Sequence, residues 1–364
     1  MVAGSGNGSG VAWKPLEGAG EEEDFVRKRD EQAISICKAL LEPWSNDARA
    51  TVEVITGGIT NALFKVTNLE LEESKEKDVI LRVFGDNTDL LIDREKELSV
   101  LLQLNTHGFG AKVLATFENG RIEEYLTSKP MDFTRCVQPK YISKIAKLAA
   151  KFHSLPIVAS KEPSLWNTVW GWYDTARELD FQDPNMKASF EKIDFQLLKD
   201  ELKNCEDMCR RINPAIVWVH SDLLPGNIML DPSTDDITFI DFEYSTYGYQ
   251  GFDIGNHWCE CMGLELNIEL FPSVEIRKSF VRHYLEAWRG SEEEVREKDV
   301  DTLLLEGEFF VLISHIYWCV WGIIQARYSK IDFGYFEYFE KRWAYYQQQK
   351  PETFAKLESS FVEK

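Results

Sequence analysis

The chain reads as an α+β protein of two lobes, a β-rich N-lobe followed by a helix-rich C-lobe. Three observations carry this reading. Apolar residues alternate with period two between about residues 50 and 127, helical spacing dominates from about residue 139 onward, and one β island at 216–241 interrupts the helices. A chain of 364 residues is long enough to fill two cores.

Taken in order, residues 1–20 are rich in Gly and Ser and run into Glu21-Glu22-Glu23-Asp24, so 1–24 reads as a disordered tail. The N-lobe is expected over 25–127 and the C-lobe over 128–364. Val52-Glu-Val-Ile, the turn Thr56-Gly57-Gly58-Ile59-Thr60-Asn61 and Leu63-Phe-Lys-Val give strand, Gly turn, strand; residues 79–83 form another strand. Leu98, Leu101 and Leu102 place a helix over 95–104, ended by Gly108 and Gly110, before further strands at 112–117 and 121–126. In the C-lobe, helical spacing covers 141–154, 195–213, 273–288 and 303–328.

Composition narrows the function. Lys and Arg number 41 against 61 Asp and Glu, a net charge of 41 − 61 = −20, which argues against nucleic acid as a partner because phosphate binding needs clustered cations. The seven cysteines contain no CxxC pair and no zinc pattern, so they read as reduced, buried thiols of a cytoplasmic protein. The apolar run 309–325 is near the lower length limit for a spanning helix. It carries Ser314 and His315 and is flanked by Glu308 and Arg327, and reads as a buried helix of a large domain rather than as a membrane insertion.

The β island holds the chemistry. His220-Ser221-Asp222-Leu-Leu-Pro-Gly-Asn227 follows one apolar strand, and Ile240-Asp241-Phe242-Glu243 follows the next. Phosphoryl transfer to a hydroxyl needs a carboxylate to accept the proton, and a second carboxylate with an amide oxygen to hold Mg²⁺ on the phosphates. Asp222 fits the first role, Asn227 and Asp241 the metal, and His220 a brace for the loop. The spacing H-x-D-x₄-N followed by I-D-F-E matches the protein-kinase order H-R-D-x₄-N and D-F-G. In the N-lobe, Gly57, Gly58, Thr60 and Asn61 are candidates to meet phosphate. Arg82 stands in the place of the strand lysine, with Glu97 as its partner and Glu95 as the competing choice, and backbone groups near Tyr125 and Leu126 suit adenine.

The segment from Ile240 through Tyr244 and Asp253 to Glu260, with the loop at 220–227, resembles the choline/ethanolamine kinase family over about residues 35–355. The resemblance implies a protein-kinase-like fold and transfer from ATP to ethanolamine or choline, with Mg²⁺ at Asn227 and Asp241. It places an amine pocket at Tyr244, Glu260, Trp318, Trp321, Tyr335 and Tyr338, and allows for a homodimer. Aromatic faces attract a cation, although Trp318 and Trp321 on an apolar helix also fit a plain core. Two positions depart from the family pattern. Ser221 stands where Asn is usual, and Gly248, also at an Asn position, reads as a turn needing positive φ.

The choice of amine stays open at this level. Asp222-Leu223-Leu224 and Cys261-Met262-Gly263 look more like ethanolamine kinases, whereas Gly334-Tyr335 and Tyr345-Tyr346-Gln-Gln-Gln-Lys look more like choline kinases. The reading adopted is an ethanolamine kinase making phosphoethanolamine, the first step of the CDP-ethanolamine route to phosphatidylethanolamine. A choline kinase is the alternative, and a catalytically silent amine- or partner-binding homologue the further one.

Overall fold

The computed structural model describes residues 6–8, 10–14, 22–55, 61–72, 76–85, 94–291, 294–329 and 331–362. Gly57, Gly58 and Thr60 lie outside them. The chain divides into two units, Met1–Lys129 and Pro130–Lys364.

In the first unit the elements run β1 (Gly6–Gly8), α1 (Glu22–Leu40), β2 (Ala50–Ile55), β3 (Asn61–Asn68), β4 (Asp78–Phe84), α2 (Arg94–Thr106), β5 (Val113–Phe117) and β6 (Gly120–Glu124). The sheet order is β1-β5-β6-β4-β3-β2, antiparallel except for the β1–β5 pair. Alternation puts Phe64, Val66, Val79, Leu81 and Ile122 on one face, where they bury against Ala33, Ile36 and Cys37 of α1. Part of the stretch expected to be a disordered tail instead joins this unit. Gly6–Gly8 pairs with Ala115–Phe117, and Trp13 stacks on Phe64 at 5.0 Å between ring centroids. One large aromatic ring reaching the core supplies burial that Gly and Ser alone lack.

The short β7 (Lys129–Pro130) falls at the boundary, and the second unit continues with α3 (Phe133–Cys136), α4 (Pro139–His153), α5 (Leu165–Arg177), α6 (Pro184–Phe190) and α7 (Phe195–Ile212). The β island supplies β8 (Ile216–Val219), β9 (Ile228–Leu230) and β10 (Ile237–Phe239), and β11 (Thr246–Tyr249) follows it. Last come α8 (Gln250–Glu260), α9 (Val274–Arg289), α10 (Glu297–Tyr328) and α11 (Tyr335–Val362). Sequence signals explain the boundaries: the Ser273 hydroxyl caps α9 by accepting from Ile276 N–H, and Asn213 ends α7 in the left-handed region at φ 55°. Helix α10 is long and apolar enough by composition to cross a membrane, but most of its apolar window is buried within the protein. It packs against α8, where a side chain at Gly255 would meet the Gly307 carbonyl at 2.6 Å. All seven cysteines are free and buried.

Gly248 corrects an expectation. It lies within β11 opposite Val217, and it is absent from the positive-φ residues. Its reason is space instead, since an added Cβ would lie 2.6 Å from Val219 Cγ2.

Candidate active site

Strand β8 delivers His220, Ser221 and Asp222 to a loop that turns through Pro225–Asn227 into β9. His220 is fully buried. Its Nε2–H donates to the Ile240 carbonyl at 2.9 Å, which leaves Nδ1 to accept the Asp222 backbone N–H at 3.3 Å. Burial lowers the His220 pKa, keeping the ring neutral for this bracing role. Asn227 Nδ2 donates to the Asp222 carbonyl at 2.9 Å and to its carboxylate at 3.2 Å. The Asn227 carbonyl in turn receives Ile240 N–H at 3.0 Å, next to Asp241.

Ser221 and Asp241 both hold positive φ, at 69° and 64°. Such backbone costs of order 1–3 kcal/mol for a residue other than Gly and persists where surrounding contacts over-determine it. Burial, followed by the nearby carboxylates of Glu260, Asp241 and Glu243, raises the Asp222 pKa well above the ordinary value.

The Asn227 amide hydrogens are turned to Asp222, which leaves its oxygen as the atom that could hold a metal together with the Asp241 carboxylate. Hard oxygen donors of this kind suit Mg²⁺. Among the described residues, no group of three or more His, Cys, Asp or Glu could hold a metal alone. Two protein ligands completed by phosphate and water is a usual arrangement for Mg²⁺.

Helix α8 is buried along its whole length, yet Asp253, Asn256, His257 and Glu260 form a polar stripe at helical spacing. Each has a partner. Asp253 accepts the backbone N–H groups of His220 and Ser221, both at 2.6 Å, and His153 Nε2 lies 3.0 Å away. Burial alone would raise the Asp253 pKa, but these hydrogen bonds and the two histidines hold it low. Its place in the first turn of α8 also favours an anion. Asn256 Nδ2 donates to the Ser221 carbonyl at 3.2 Å, and His257 Nδ1 donates to the Leu223 carbonyl at 2.9 Å. The stripe thus grips the Asp222 loop from one side. Asp253, Asn256 and His257 were assigned no role from sequence, although their i, i+3, i+4 spacing in an otherwise apolar helix was a signal.

The structure brings the expected aromatic residues together. Tyr244 lies edge-on to Trp318 at 6.1 Å, Trp318 to Trp321 at 5.3 Å, and Trp321 to Tyr335 and Tyr338 at 6.0 and 6.4 Å. Phe333, missed in the sequence, joins Tyr335 at 4.9 Å. Glu260 carries a partner that was also missed: its Oε1 is 2.7 Å from Nη2 of the fully buried Arg342. Arg342 sits four residues after Tyr338 on α11, so helical spacing from the aromatic stripe would have found it.

In the N-terminal unit, Arg82 and Glu97 are not paired with each other as expected. Arg82 Nε lies 3.2 Å from Glu123, whereas Glu97 takes Arg94 at 2.7 Å and Arg121 at 2.8 Å. The reason is register: Arg82 on β4 faces Arg121 on β6, so Glu123, two residues along the same face, is within reach. Burial would raise the Glu123 pKa, but Arg82 and Arg121 hold it low. Arg82, Arg94 and Arg121 thus meet Glu97 and Glu123 in one cluster. Asn61 Oδ1 accepts from Arg94 at 3.3 Å, and Glu95 lines a cavity of about 480 Å³ beside Arg94 and Arg121. Tyr125 carries the Lys65 ammonium 4.2 Å from its ring centre, and Leu126 follows it, half-buried.

The choline/ethanolamine kinase family model matches residues 52–347. A probable ethanolamine kinase from Arabidopsis thaliana is 38% identical over 90% of this chain and 87% of its own. A probable choline kinase from the same plant is 31% identical over 87% of this chain and 92% of its own. Among solved structures, an ethanolamine kinase of Plasmodium vivax aligns with a TM-score of 0.75 and 28% identity, covering 92% of this chain and 95% of that one.

Proposed function

This chain belongs to the choline/ethanolamine kinase family, and we propose that it is an ethanolamine kinase that transfers the γ-phosphoryl group of ATP to the ethanolamine hydroxyl. The product, phosphoethanolamine, feeds phosphatidylethanolamine synthesis. One observation carries the assignment. Asn256 donates to the Ser221 carbonyl while its Oδ1 accepts the Trp318 indole N–H at 2.7 Å, so the loop bearing Asp222 and the aromatic cluster are one hydrogen-bonded assembly. A proton acceptor is thereby joined to a cation-binding wall, as phosphorylation of a small amino alcohol requires.

In this reading the substrate ammonium rests against Tyr244, Trp318, Trp321, Tyr335 and Tyr338, with Glu260 as counter-charge. Its hydroxyl donates to Asp222. As the oxygen attacks the γ-phosphorus and the bond to ADP breaks, the hydroxyl proton passes to the Asp222 carboxylate. His220, Asn227 and Asp253 keep that carboxylate in place. Mg²⁺ bound at Asn227 and Asp241 would offset charge on the transferring phosphoryl group. Arg82 is assigned to the nucleotide phosphates. Seven buried free thiols support a reducing, cytoplasmic setting.

A choline kinase is the second reading, favoured by the aromatic character of the cluster, since a quaternary ammonium has no N–H to satisfy. An ATP-consumption assay with ethanolamine, choline, the N-methylated intermediates and an aminoglycoside side by side separates the cases. A higher kcat/KM for ethanolamine is expected. Preference for choline would install the second reading, and no turnover with any acceptor would point to a silent homologue.

A further inference from the structure

Arg342 is a fully buried cation in a protein whose other site charges are mostly carboxylates. Its guanidinium reaches three helices at once. Nη2 lies 2.7 Å from Glu260 on α8, Nη1 donates to Ser314 Oγ on α10 at 3.3 Å, and Nε donates to Tyr338 Oη on α11 at 3.0 Å. Ser314 Oγ passes a hydrogen bond to Asn256 Oδ1 at 2.8 Å, the oxygen that also receives Trp318, and Asn256 holds the Ser221 carbonyl. We propose that Arg342 is a positioning residue for the amine substrate: it fixes Glu260 and Tyr338 at the aromatic cluster and, through Ser314 and Asn256, sets that cluster against the loop carrying Asp222. The inference rests on the amine-kinase reading above.

Two physical arguments support it. A planar fork with donors at fixed angles can orient three partners together, which a flexible ammonium cannot. Arg342 also commits one oxygen of Glu260, so the carboxylate meets an incoming ammonium with the other, at an orientation decided before substrate arrives. A charge-assisted pair of this kind holds the Glu260 carboxylate in one orientation in the interior.

The test compares Arg342→Gln, Arg342→Lys, Glu260→Gln and the double variant Arg342→Gln/Glu260→Gln with the parent. For each, KM for ethanolamine, KM for ATP and Tm are measured. Loss of a charge-assisted hydrogen-bond set is expected to raise the ethanolamine KM about ten-fold or more in Arg342→Gln, with the ATP KM within about two-fold. Arg342→Lys, which keeps the charge but not the fork, should recover Tm more than it recovers the amine KM. The double variant leaves no lone buried charge, so it should regain Tm while its amine KM is no worse than that of the poorer single variant, because both residues act as one unit. An unchanged ethanolamine KM, equal rises in both KM values, or additive effects in the double variant would each overturn the inference. A parent that phosphorylates neither ethanolamine nor choline would overturn the site reading, and this inference with it.

Discussion

In its proposed role as base, Asp222 serves two opposed demands. A base must be ionised to take a proton, yet burial and the carboxylates of Glu260, Asp241 and Glu243 push its pKa up. A raised pKa improves proton affinity, and substrate ammonium or metal charge would restore ionisation when the site fills. Replacing Asp222 by Ala is expected to lower kcat by about 10²–10⁴-fold with ATP affinity nearly unchanged; near-native turnover would remove Asp222 as the base. Stability should show the opposite face. A folded-state pKa above the unfolded value means stability is full at low pH and is lost as pH rises through the folded pKa. Asn imitates the protonated form, so Asp222→Asn should raise the Tm of the substrate-free protein at neutral pH. The gain should vanish as pH falls below the ordinary carboxylate range. Thermal melts across pH decide this, and a variant less stable than the parent at neutral pH would contradict it.

Helix α8 shows what an element adds to its residues. Its polar stripe was hard to read because complete burial hides amphipathic spacing: no solvent face marks which side does the work. By contrast α2, α4, α7 and α9 were legible, since each shows helical spacing with a Gly, Ser or Asn boundary signal or a polar outer face. Strands β8, β9 and β10 were legible for a similar reason, being short apolar runs ending in polar loops, whereas β11 was not, since Gly248 within it reads as a turn. Asp253 joins α8 to the loop through two backbone N–H groups and to α4 through His153. Its replacement by Ala should cost roughly 3–5 kcal/mol of stability, as breaking a buried charged network does. Asp253→Asn keeps one good acceptor and should lose less stability while still lowering kcat, because the Asp222 loop is held from one oxygen only. Denaturant unfolding and kcat measured on both variants test the order; a stable, fully active Asp253→Ala protein would exclude the clamp.

At the scale of the molecule, the order of the two units and their β-rich and helix-rich characters were visible in the change of hydrophobic period near residue 130. Charge pairing was not visible, because Glu97 and Glu123 compete for arginines that cross-strand register brings together. Linear spacing offers only the helix neighbour. The division of labour that follows is kinetic. The proposed proton acceptor, the side chains proposed for the metal and the aromatic cluster all belong to Pro130–Lys364, while Arg82 and its cluster belong to Met1–Lys129. Variants on the two sides should therefore separate. Arg82→Ala removes the cation proposed to meet the nucleotide phosphates and is expected to raise the ATP KM about ten-fold, with the ethanolamine KM within about two-fold. Trp321→Ala opens the aromatic wall and should raise the ethanolamine KM by a similar factor at a nearly constant ATP KM. If Trp321→Ala moved both constants together, the tryptophan would be core packing. If Arg82→Ala left the ATP KM unchanged, the phosphate grip would belong to other members of its arginine cluster, with Arg94 the next to test.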